Sequence, residues 1–346
     1  MNFILYALIT ALVIGFLTFI HEFGHFFFAR LFKVPVLEFA IGMGPTIYSW
    51  KGKTGTKYAL RAFPIGGFVQ MEGEEGTSEN PMAYNNLSPW KKIAVTVAGP
   101  VVNIVFAVIV MFILVICTPT LGSTTIGGFN EDAISNSQLM VEDEIVKIGN
   151  VKVHTGEEVY YEIMMQGYQA VDITVLRGGR RVVLEDVVFN VNEENGTRLG
   201  EIDFKLFALS ALEDVTFFDY LYQAFYRSVN MVKMVFDSLL GMISGRFGID
   251  AVSGPVGIVE TVGEVVAVSP AALVNLVVMI SMNLGIFNLL PVPALDGGRI
   301  VFHLIDGIAG RKVIKKEIED TITGVTMLIL LAFMFLISVK DVINLF

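Results

Sequence analysis

The residues His21, Glu22 and His25 have the types and the spacing of a hydrolytic metal site. Side chains four positions apart lie on one face of a helix, so both imidazoles can bind one zinc ion. The glutamate between them can act as the general base that activates water. Because so short a motif also arises by chance in unrelated helices, the elements around it decide how much it means.

The motif lies at the end of an apolar run that begins at Met1, which places it in a predicted membrane-spanning helix. Histidines and a glutamate are costly inside a bilayer without partners, so ionisable groups at that depth favour a functional site. The chain has only four histidines, and two of them are in this segment. The sequence therefore predicts hydrolysis within the membrane rather than by an ordinary soluble zinc protease.

A catalytic zinc ion usually has three protein ligands and water, so one further ligand is needed from elsewhere in the chain. Asp296 is the best candidate because it ends a long uncharged run, where a carboxylate requires a cation. Pro291 and Pro293 prevent a regular helix just before it, as in a segment that lines a cavity. Two alternatives stay open: Asp296 could cap a following helix, and His303, which we take as structural, could be the ligand.

Four uncharged runs approach or exceed the length that crosses about 30 Å of hydrocarbon. Hydrophobic residues make up 54% of the chain and charged residues 17%, which is typical of an integral membrane protein. The predicted fold class is a polytopic α-helical membrane protein with four transmembrane helices, at Met1–Ile20, Ile93–Cys117, Val265–Leu295 and Thr321–Val339. A single cysteine excludes an internal disulfide.

The net charge of −10 is distributed unevenly. Residues 118–264 have 10 basic and 22 acidic side chains, whereas the connections at 30–92 and 297–320 contain 8 and 5 basic residues. The positive-inside rule places these connections in the cytoplasm, and the acidic segment and both termini outside. The first and third spans then both run inward, so the histidine motif and Asp296 reach the same depth. No basic stripe or phosphate loop favours nucleic acid as a partner.

Taken together, these motifs resemble those of the bacterial site-2 proteases, the zinc metalloproteases of regulated intramembrane proteolysis. The matching segments are His21–His25, Gly42–Pro45, Phe63–Val69, Ala98–Asn103 and Asn283–Gly298. The resemblance implies that His21, His25 and Asp296 bind Zn²⁺ and that Glu22 is the base. It also implies that the substrates are single-span membrane proteins already trimmed outside the membrane, such as anti-sigma factors and remnant signal peptides.

The segment Tyr58–Met71 is rich in aromatic and β-branched residues around Pro64, Gly66 and Gly67, and it predicts a hairpin. The resemblance makes it a membrane-associated, re-entrant loop whose edge strand pairs with the substrate. A plain cytoplasmic hairpin is the alternative.

Further substrate-positioning roles follow from the resemblance. Asn288, Pro291 and Pro293 match the segment that positions the substrate, and Asn288 could steady its carbonyl group. Asn103 matches a residue near the site, although a helix-packing role is equally open.

Residues 124–190 alternate short β-rich stretches with turns and resemble one PDZ-like domain, with Glu158–Gln166 as its groove helix. A β domain of another type is the alternative. Val215–Ile243 is apolar and aromatic but contains four charged residues, so it predicts an amphipathic helix on the outer membrane surface rather than a span. Gly254–Gly257 predicts a turn.

The predicted organisation has four parts. They are the first half of the membrane core (1–117), an external PDZ-like domain (124–190), a linker with the surface helix (191–264) and the second half of the core (265–346). The predicted function is zinc-dependent intramembrane endopeptidase of the bacterial cytoplasmic membrane, embedded in lipid with its active site toward the cytoplasm. The alternatives are a proteolytically inactive peptide-binding relative, which an intact Glu22 disfavours, and a metal transporter, which would need more polar residues along the spans.

Overall fold

The structure is a computed structural model that describes residues 2–74, 76–194, 197–211, 214–248 and 252–344. Met1 and Phe346, the outer limits of the first and last predicted domains, lie outside these residues. The α-helices of the described part are α1 Asn2–Leu31, α2 Pro89–Cys117, α3 Gly156–Gln166, α4 Phe217–Ile243, α5 Pro255–Val268, α6 Pro270–Leu289, α7 Asp296–Ala309 and α8 Lys316–Asn344. The strands are β1 Val36–Lys51, β2 Lys57–Met71, β3 Gly122–Phe129, β4 Glu144–Ile148, β5 Val151–Lys152, β6 Val171–Arg177, β7 Arg180–Val187, β8 Asn190–Glu194, β9 Thr197–Glu201 and β10 Phe204–Ala208.

Within the described ranges, four helices are long and apolar enough to cross a membrane, and each overlaps one of the predicted runs. They are Phe3–Leu31, Pro89–Cys117, Pro270–Leu289 and Lys316–Ile343. The prediction of four membrane-spanning helices is therefore confirmed at the level of length and composition. The first helix continues past the histidine motif to Leu31, so the motif lies inside α1 rather than at its end.

The described chain divides into two compact units. One comprises Met1–Ala107 and Ser253–Phe346, and the other comprises Val108–Val252. Helix α2 contributes to both units. The histidine motif and Asp296 belong to the first unit.

In the first unit, β1 and β2 form a two-stranded antiparallel sheet that contacts α1. The turn between the strands lies at Gly52–Thr56, where the amide of Gly52 donates to the Thr56 carbonyl at 2.8 Å. The prediction of a hairpin within Tyr58–Met71 is therefore wrong. That segment belongs to one long strand, and its partner is Val36–Lys51.

Glycines explain why this hairpin was not apparent. Gly42, Gly44 and Gly66 have positive φ angles of 83°, 86° and 77°, which side chains disfavour, and they allow the long strands to bend. After the bends, Phe39 lies opposite both Val69 and Tyr58. The sheet therefore folds over itself beside α1, and Gly67–Met71 stays at one edge with β1 as its only ladder partner among the described residues.

Asp296 begins α7, and the turn before this helix packs closely on its first residues. Gly297 and Gly298 have no room for a side chain, because a methyl group would lie 2.0 Å from the Leu290 carbonyl oxygen and 2.4 Å from Cα of Pro293, respectively. The proline-containing turn is thus packed directly on the first turn of α7. This close packing fixes Asp296 at the start of that helix.

The predicted turn at Gly254–Gly257 is wrong, because Pro255 is the first residue of α5 and suits a helix N-terminus. The amides of Gly254 and Gly257 donate to the carboxylate of Asp341 at 2.8 and 2.9 Å. The uncharged run predicted as one span also begins in α5, since Ser269 separates α5 from α6.

The second unit contains a sheet with the strand order β10-β3-β4-β6-β7, in which β5 also pairs with β4. Helix α3 begins at a capping box formed by Thr155 and Glu158, and the hairpin β6–β7 follows it, as the sequence predicts. Strand β10 lies beyond residue 190, in the segment predicted as a linker, and it pairs with β3. The core of this unit is apolar: Ile126, Leu139, Ile145, Ile148, Val159, Ile163, Ile173, Val175, Val187, Phe189 and Phe204 are among its buried members.

Helix α4 also belongs to this unit, and it is the amphipathic helix that the sequence predicts at Val215–Ile243. Arg227 and Lys233 form ion pairs with Glu157 and Glu162 of α3 at 2.6 and 2.7 Å. Apolar side chains of α4 remain exposed, including Phe218, Phe225, Leu240 and Ile243. The two basic residues of the helix therefore contact the β domain, which explains how so apolar a segment accommodates them.

Candidate metal centre

Three side chains from distant parts of the sequence meet in the first unit. Nε2 of His21 and Nε2 of His25 lie 3.0 and 3.3 Å from Oδ2 of Asp296, and 3.2 Å from each other. Atoms bound to a tetrahedral zinc ion at 2.0–2.1 Å are separated by about 3.3 Å. The spacing of these three atoms therefore fits one zinc ion, and within the described residues this is the one such group of metal-ligating side chains.

The hydrogen bond behind His25 determines which ring nitrogen is free. Nδ1 of His25 lies 2.9 Å from the Val95 carbonyl oxygen, which can only accept, so Nδ1 donates. In the neutral ring, Nε2 then presents a lone pair toward Asp296. Oδ2 of Asp296 is itself buried without a hydrogen-bond partner. The lone pair of His25 Nε2 and the Asp296 carboxylate oxygen therefore face each other at 3.3 Å, an arrangement that a bound cation would satisfy.

The backbone at Asp296 decides whether this residue caps the following helix. Asp296 does not cap α7, because it is the first helical residue and Leu295 occupies the cap position. One of the alternatives left open by the sequence is thus excluded.

Asn103 lies behind His21 rather than on the open side of the site. It is fully buried, and its amide is 3.3 Å from Nδ1 of His21. When Nε2 of His21 faces a metal, Nδ1 carries the proton, and the amide oxygen of Asn103 is the matching acceptor if the amide is placed in the other of its two orientations. This contact suits a residue that orients the ring.

A cavity of about 240 Å³ opens beside the three ligand atoms. Glu22 lines it together with His21, His25 and Asp296, and Asn288 lies on its wall. Glu22 also lies against the sheet, since a methyl group on Gly67 would be 3.5 Å from its Cγ atom. The cavity can thus bring water and a peptide group together with a carboxylate and a metal ion.

The other predicted substrate-positioning residues surround this cavity without lining it. Pro291 and Pro293 form the turn before α7, and the Pro293 carbonyl accepts a hydrogen bond from Thr323 at 3.2 Å. Gly66 supports the bend of β2 and Gly67 lies at the sheet edge. The structure therefore assembles His21, Glu22, His25, Asn288 and Asp296 at one cavity, with the prolines and glycines behind it.

His303 lies outside the metal cluster. Its Nε2 is 3.0 Å from the hydroxyl of Tyr84, which also lies 3.1 Å from Oγ1 of Thr96. Burial lowers the pKa of His303 to about 4, and burial raises the pKa of Tyr84 to about 12. Both side chains are therefore uncharged near neutral pH. Their hydrogen bond joins α7 to α2 through the Tyr84 loop, which fits the structural role predicted for His303.

Sequence reasoning did not identify several residues of this site. Val95 and Gly99 lie on the α2 face that contains Asn103, at intervals of four residues, and Gly99 lies directly against the rings of His21 and His25. Glu74, Tyr84 and Arg299 line the cavity from other segments. The four-residue spacing of Val95, Gly99 and Asn103 was the available signal for the first group.

Comparisons with known proteins agree with this geometry. The sequence pattern of peptidase family M50 matches residues 9–333. A protein of Fusobacterium nucleatum is 35% identical over 344 residues, covering 98% of this chain and 99% of that protein. A protein of Clostridium acetobutylicum is 33% identical over 338 residues, with coverages of 97% and 96%. A protein of Clostridium perfringens is 31% identical over 350 residues, with coverages of 98% and 99%.

Each of these three relatives bears the name "putative zinc metalloprotease". The match extends over the histidine motif and the segment with Asp296, whose side chains form the group that could hold a metal ion. These findings favour the protease over the metal transporter that the sequence left as an alternative. The chain belongs to peptidase family M50, the site-2 type of zinc-dependent membrane metalloprotease.

Proposed function

We propose that this zinc metalloprotease cuts peptide bonds of single-span membrane proteins within the bilayer. The observation that carries the proposal is the convergence of Asp296 with His21 and His25, which lie in a helix long and apolar enough to cross a membrane. His21 is 19 residues into α1, or about 28 Å along a helix that rises 1.5 Å per residue, and it lies within a candidate span. The target bond must therefore reach a site that lies inside the membrane core of the enzyme.

We assign the zinc ligands to Nε2 of His21, Nε2 of His25 and the carboxylate of Asp296. When bound there, zinc supplies Lewis-acid polarisation of the scissile carbonyl and acidifies water. Glu22 takes a proton from the attacking water and later delivers it to the leaving amine. Val95 and Asn103 keep both imidazole rings oriented throughout the reaction.

The edge of β2 provides a way to hold the substrate. A protease needs its substrate extended, and an extended peptide can add to an exposed strand edge through main-chain hydrogen bonds. Phe68, Val69 and Met71 of β2 line the cavity, and Gly67 brings the strand against Glu22. A substrate helix that unwinds along Gly67–Met71 would present successive peptide bonds to the metal. Asn288 lines the same cavity, and we propose that its amide donates to a substrate carbonyl.

The topology of the proposal follows from charge. Basic residues at 30–92 and 297–320 favour the cytoplasmic side of a bacterial cytoplasmic membrane, and the acidic segment favours the outside. We therefore propose that the β domain of the second unit is external and PDZ-like and acts as a gate. It would keep proteins with bulky external domains away from the core until they are trimmed, as the family resemblance implies for substrates such as anti-sigma factors.

Exposed apolar residues of α4 support a membrane-surface position for this helix. Phe217 makes an edge-to-face contact with Phe112, five residues before the end of α2, at a centroid distance of 6.0 Å. Because α2 is a candidate span, this contact supports a position of the start of α4 near one membrane interface. We propose that α4 lies on the outer leaflet with its charges toward α3.

Reconstituted cleavage tests the function. The purified protein is inserted into lipid vesicles with a tagged single-span substrate whose external part is already short, and the products are analysed by mass spectrometry. We expect a cut within the apolar segment that a zinc chelator stops and added zinc restores. Cleavage only outside the apolar segment, or cleavage that is insensitive to the chelator, would contradict the proposal.

A further inference from the structure

The ion pair of Glu74 and Arg299 joins the substrate edge of the sheet to the helix of the third metal ligand. Oε1 of Glu74 accepts from Nη1 of Arg299 at 2.8 Å. Arg299 follows Asp296 by one turn of α7, and both Glu74 and Arg299 line the cavity. Within the described part of the chain, no other ion pair connects the end of β2 to α7.

On the sheet side, Glu74 is tied to the last residue of the edge strand by two hydrogen bonds. The amide of Met71 donates to Oε2 of Glu74 at 3.3 Å, and the amide of Glu74 donates to the Met71 carbonyl at 3.2 Å. Lys316 of α8 donates to the Glu74 carbonyl at 2.9 Å. The Glu74 side chain is 14% exposed, so it is held from three directions rather than free in solvent.

A strand edge alone does not determine which peptide bond is cut. Main-chain hydrogen bonds repeat every two residues along a strand, so an added peptide can shift by two residues and keep the same pattern. The bond that is hydrolysed is the one that lies nearest the metal. The position of the edge strand relative to the metal ligands therefore determines which peptide bond is hydrolysed.

We propose that Glu74 and Arg299 are a positioning pair that fixes the edge of β2 relative to Asp296 and so determines the cleavage position. The inference rests on the proposed binding of substrate along Gly67–Met71. Neither residue needs to contact the scissile bond. Their role is to keep the clamped peptide in register with Glu22 and the metal.

The test measures product masses, zinc content and the separate values of kcat and KM. Glu74→Gln and Arg299→Gln should each retain zinc, because all three ligands are intact. Each should lower kcat by roughly tenfold to a hundredfold, since a shift of about 1 Å is enough for such a loss. KM should change little, because the strand edge is still present. New products should appear, displaced by two residues from the wild-type cut.

Three further variants separate this role from others. The double variant should be no worse than either single variant, because the two residues act through one contact. Arg299→Lys, which keeps the charge, should restore the wild-type position as the main product. Lys57→Gln removes a 3.1 Å ion pair with Glu38 from the same sheet without touching α7, and it should cut like the wild type.

The outcomes distinguish this inference from the proposed function. If the wild-type protein does not cleave within the apolar segment, the proposed function fails. If the wild type cleaves and both single variants retain its single cut and its kcat, the positioning role alone is refuted. Loss of zinc in the variants, or multiplicative effects in the double variant, would also overturn it. A loss of kcat as large as that of a Glu22 variant with no change of position would indicate direct catalysis by Glu74 instead.

Discussion

Substitution of Gly99 by alanine should remove zinc binding although Gly99 is not a ligand. A methyl group at this position would lie 2.3 Å from Nε2 of His25, 2.6 Å from Cε1 of the same ring and 3.0 Å from Nε2 of His21. Non-bonded carbon contacts are normally about 3.5–4.0 Å, so the His25 ring would have to move by more than about 1 Å.

A displacement of this size is large for a metal site. Zinc–ligand distances are confined to about ±0.2 Å, and disturbing only the outer partners of a ligand already costs about 10–100-fold in affinity. We therefore expect Gly99→Ala to weaken zinc binding by at least about 100-fold, or about 2.7 kcal/mol at 1.36 kcal/mol per decade. The helix contact gives little relief, because Gly24 of α1 approaches the same part of α2 and a methyl group there would be 2.9 Å from Cα of Gly99.

The assay compares zinc affinity by chelator competition in purified Gly99→Ala and Gly324→Ala. Gly324 also lies in a candidate span, and a methyl group there has no atom within 4 Å, so this variant should bind zinc like the wild type. Thermal unfolding of both proteins checks that the loss is local, since overpacking costs about 1–3 kcal/mol of stability. A Gly99→Ala protein with wild-type zinc affinity would refute the geometry derived for the two histidines.

Four further predictions follow from the site and the topology. Asp296→Ala should lose zinc and activity, whereas His303→Ala should retain zinc; elemental analysis showing metal in the first variant and none in the second would mean that the ligand set is wrong. Asn103→Leu should weaken zinc binding by roughly 10–100-fold, because the ring of His21 loses its outer partner. Asn103→Asp should bind zinc more tightly than Asn103→Leu, because aspartate keeps an acceptor for Nδ1 of His21. If a chelator titration gives Asn103→Leu the zinc affinity of the wild type, Asn103 has a packing role alone. In a Cys117→Ser background, an impermeant thiol reagent should label Arg180→Cys on intact cells and Thr77→Cys only after permeabilisation, and the reverse pattern would contradict the topology. The last prediction concerns deletion of Gly122–Ala208, which can be closed because the flanking residues Leu121 and Leu209 already share a 2.7 Å backbone hydrogen bond. The deletion should preserve cleavage of a trimmed substrate and increase cleavage of an untrimmed one. A stable, zinc-loaded deletion variant that cuts neither substrate would contradict the proposal that this domain is a gate.

The metal cluster was predictable because its chemistry is visible in local patterns. His21 and His25 are four residues apart in an apolar helix, and Asp296 ends an uncharged run beside two prolines. Burial of charge at membrane depth requires a partner, which brings these distant segments together without any knowledge of the fold. The four spans were predictable for the same reason, since hydropathy acts over whole segments.

The sheet beside the site was not predictable in the same way. Pairing of Val36–Lys51 with β2 depends on bends at Gly42, Gly44 and Gly66, and glycine in a sequence indicates equally well that a strand ends there. The sequence of Tyr58–Met71 therefore predicts two short strands around Pro64. The sequence thus predicts the wrong partner for this strand. In the structure, Gly67 at the edge of the strand lies against Glu22.

Residues that act through tertiary contacts left the weakest signal. Glu74 lies in an acidic loop, and only the folded chain shows that it reaches Arg299, 225 positions away. Gly99 is important for the space that it leaves to His25, which is a property of helix packing rather than of composition. The turn predicted at Gly254–Gly257 is wrong for a related reason. Pro255 fits a turn as well as a helix start, and the contacts of Gly254 and Gly257 with Asp341 are visible only in the folded chain.

The most direct test of the central claim measures zinc content and turnover of Glu22→Gln in the same purified sample, beside the wild type. Glu22 lines the cavity but is not one of the three clustered metal-binding side chains, so the variant should retain its zinc. Its cleavage of a single-span substrate should fall by at least about 100-fold, the lower range for loss of general-base catalysis. Substantial turnover by a zinc-loaded Glu22→Gln protein would contradict the proposed chemistry of this site.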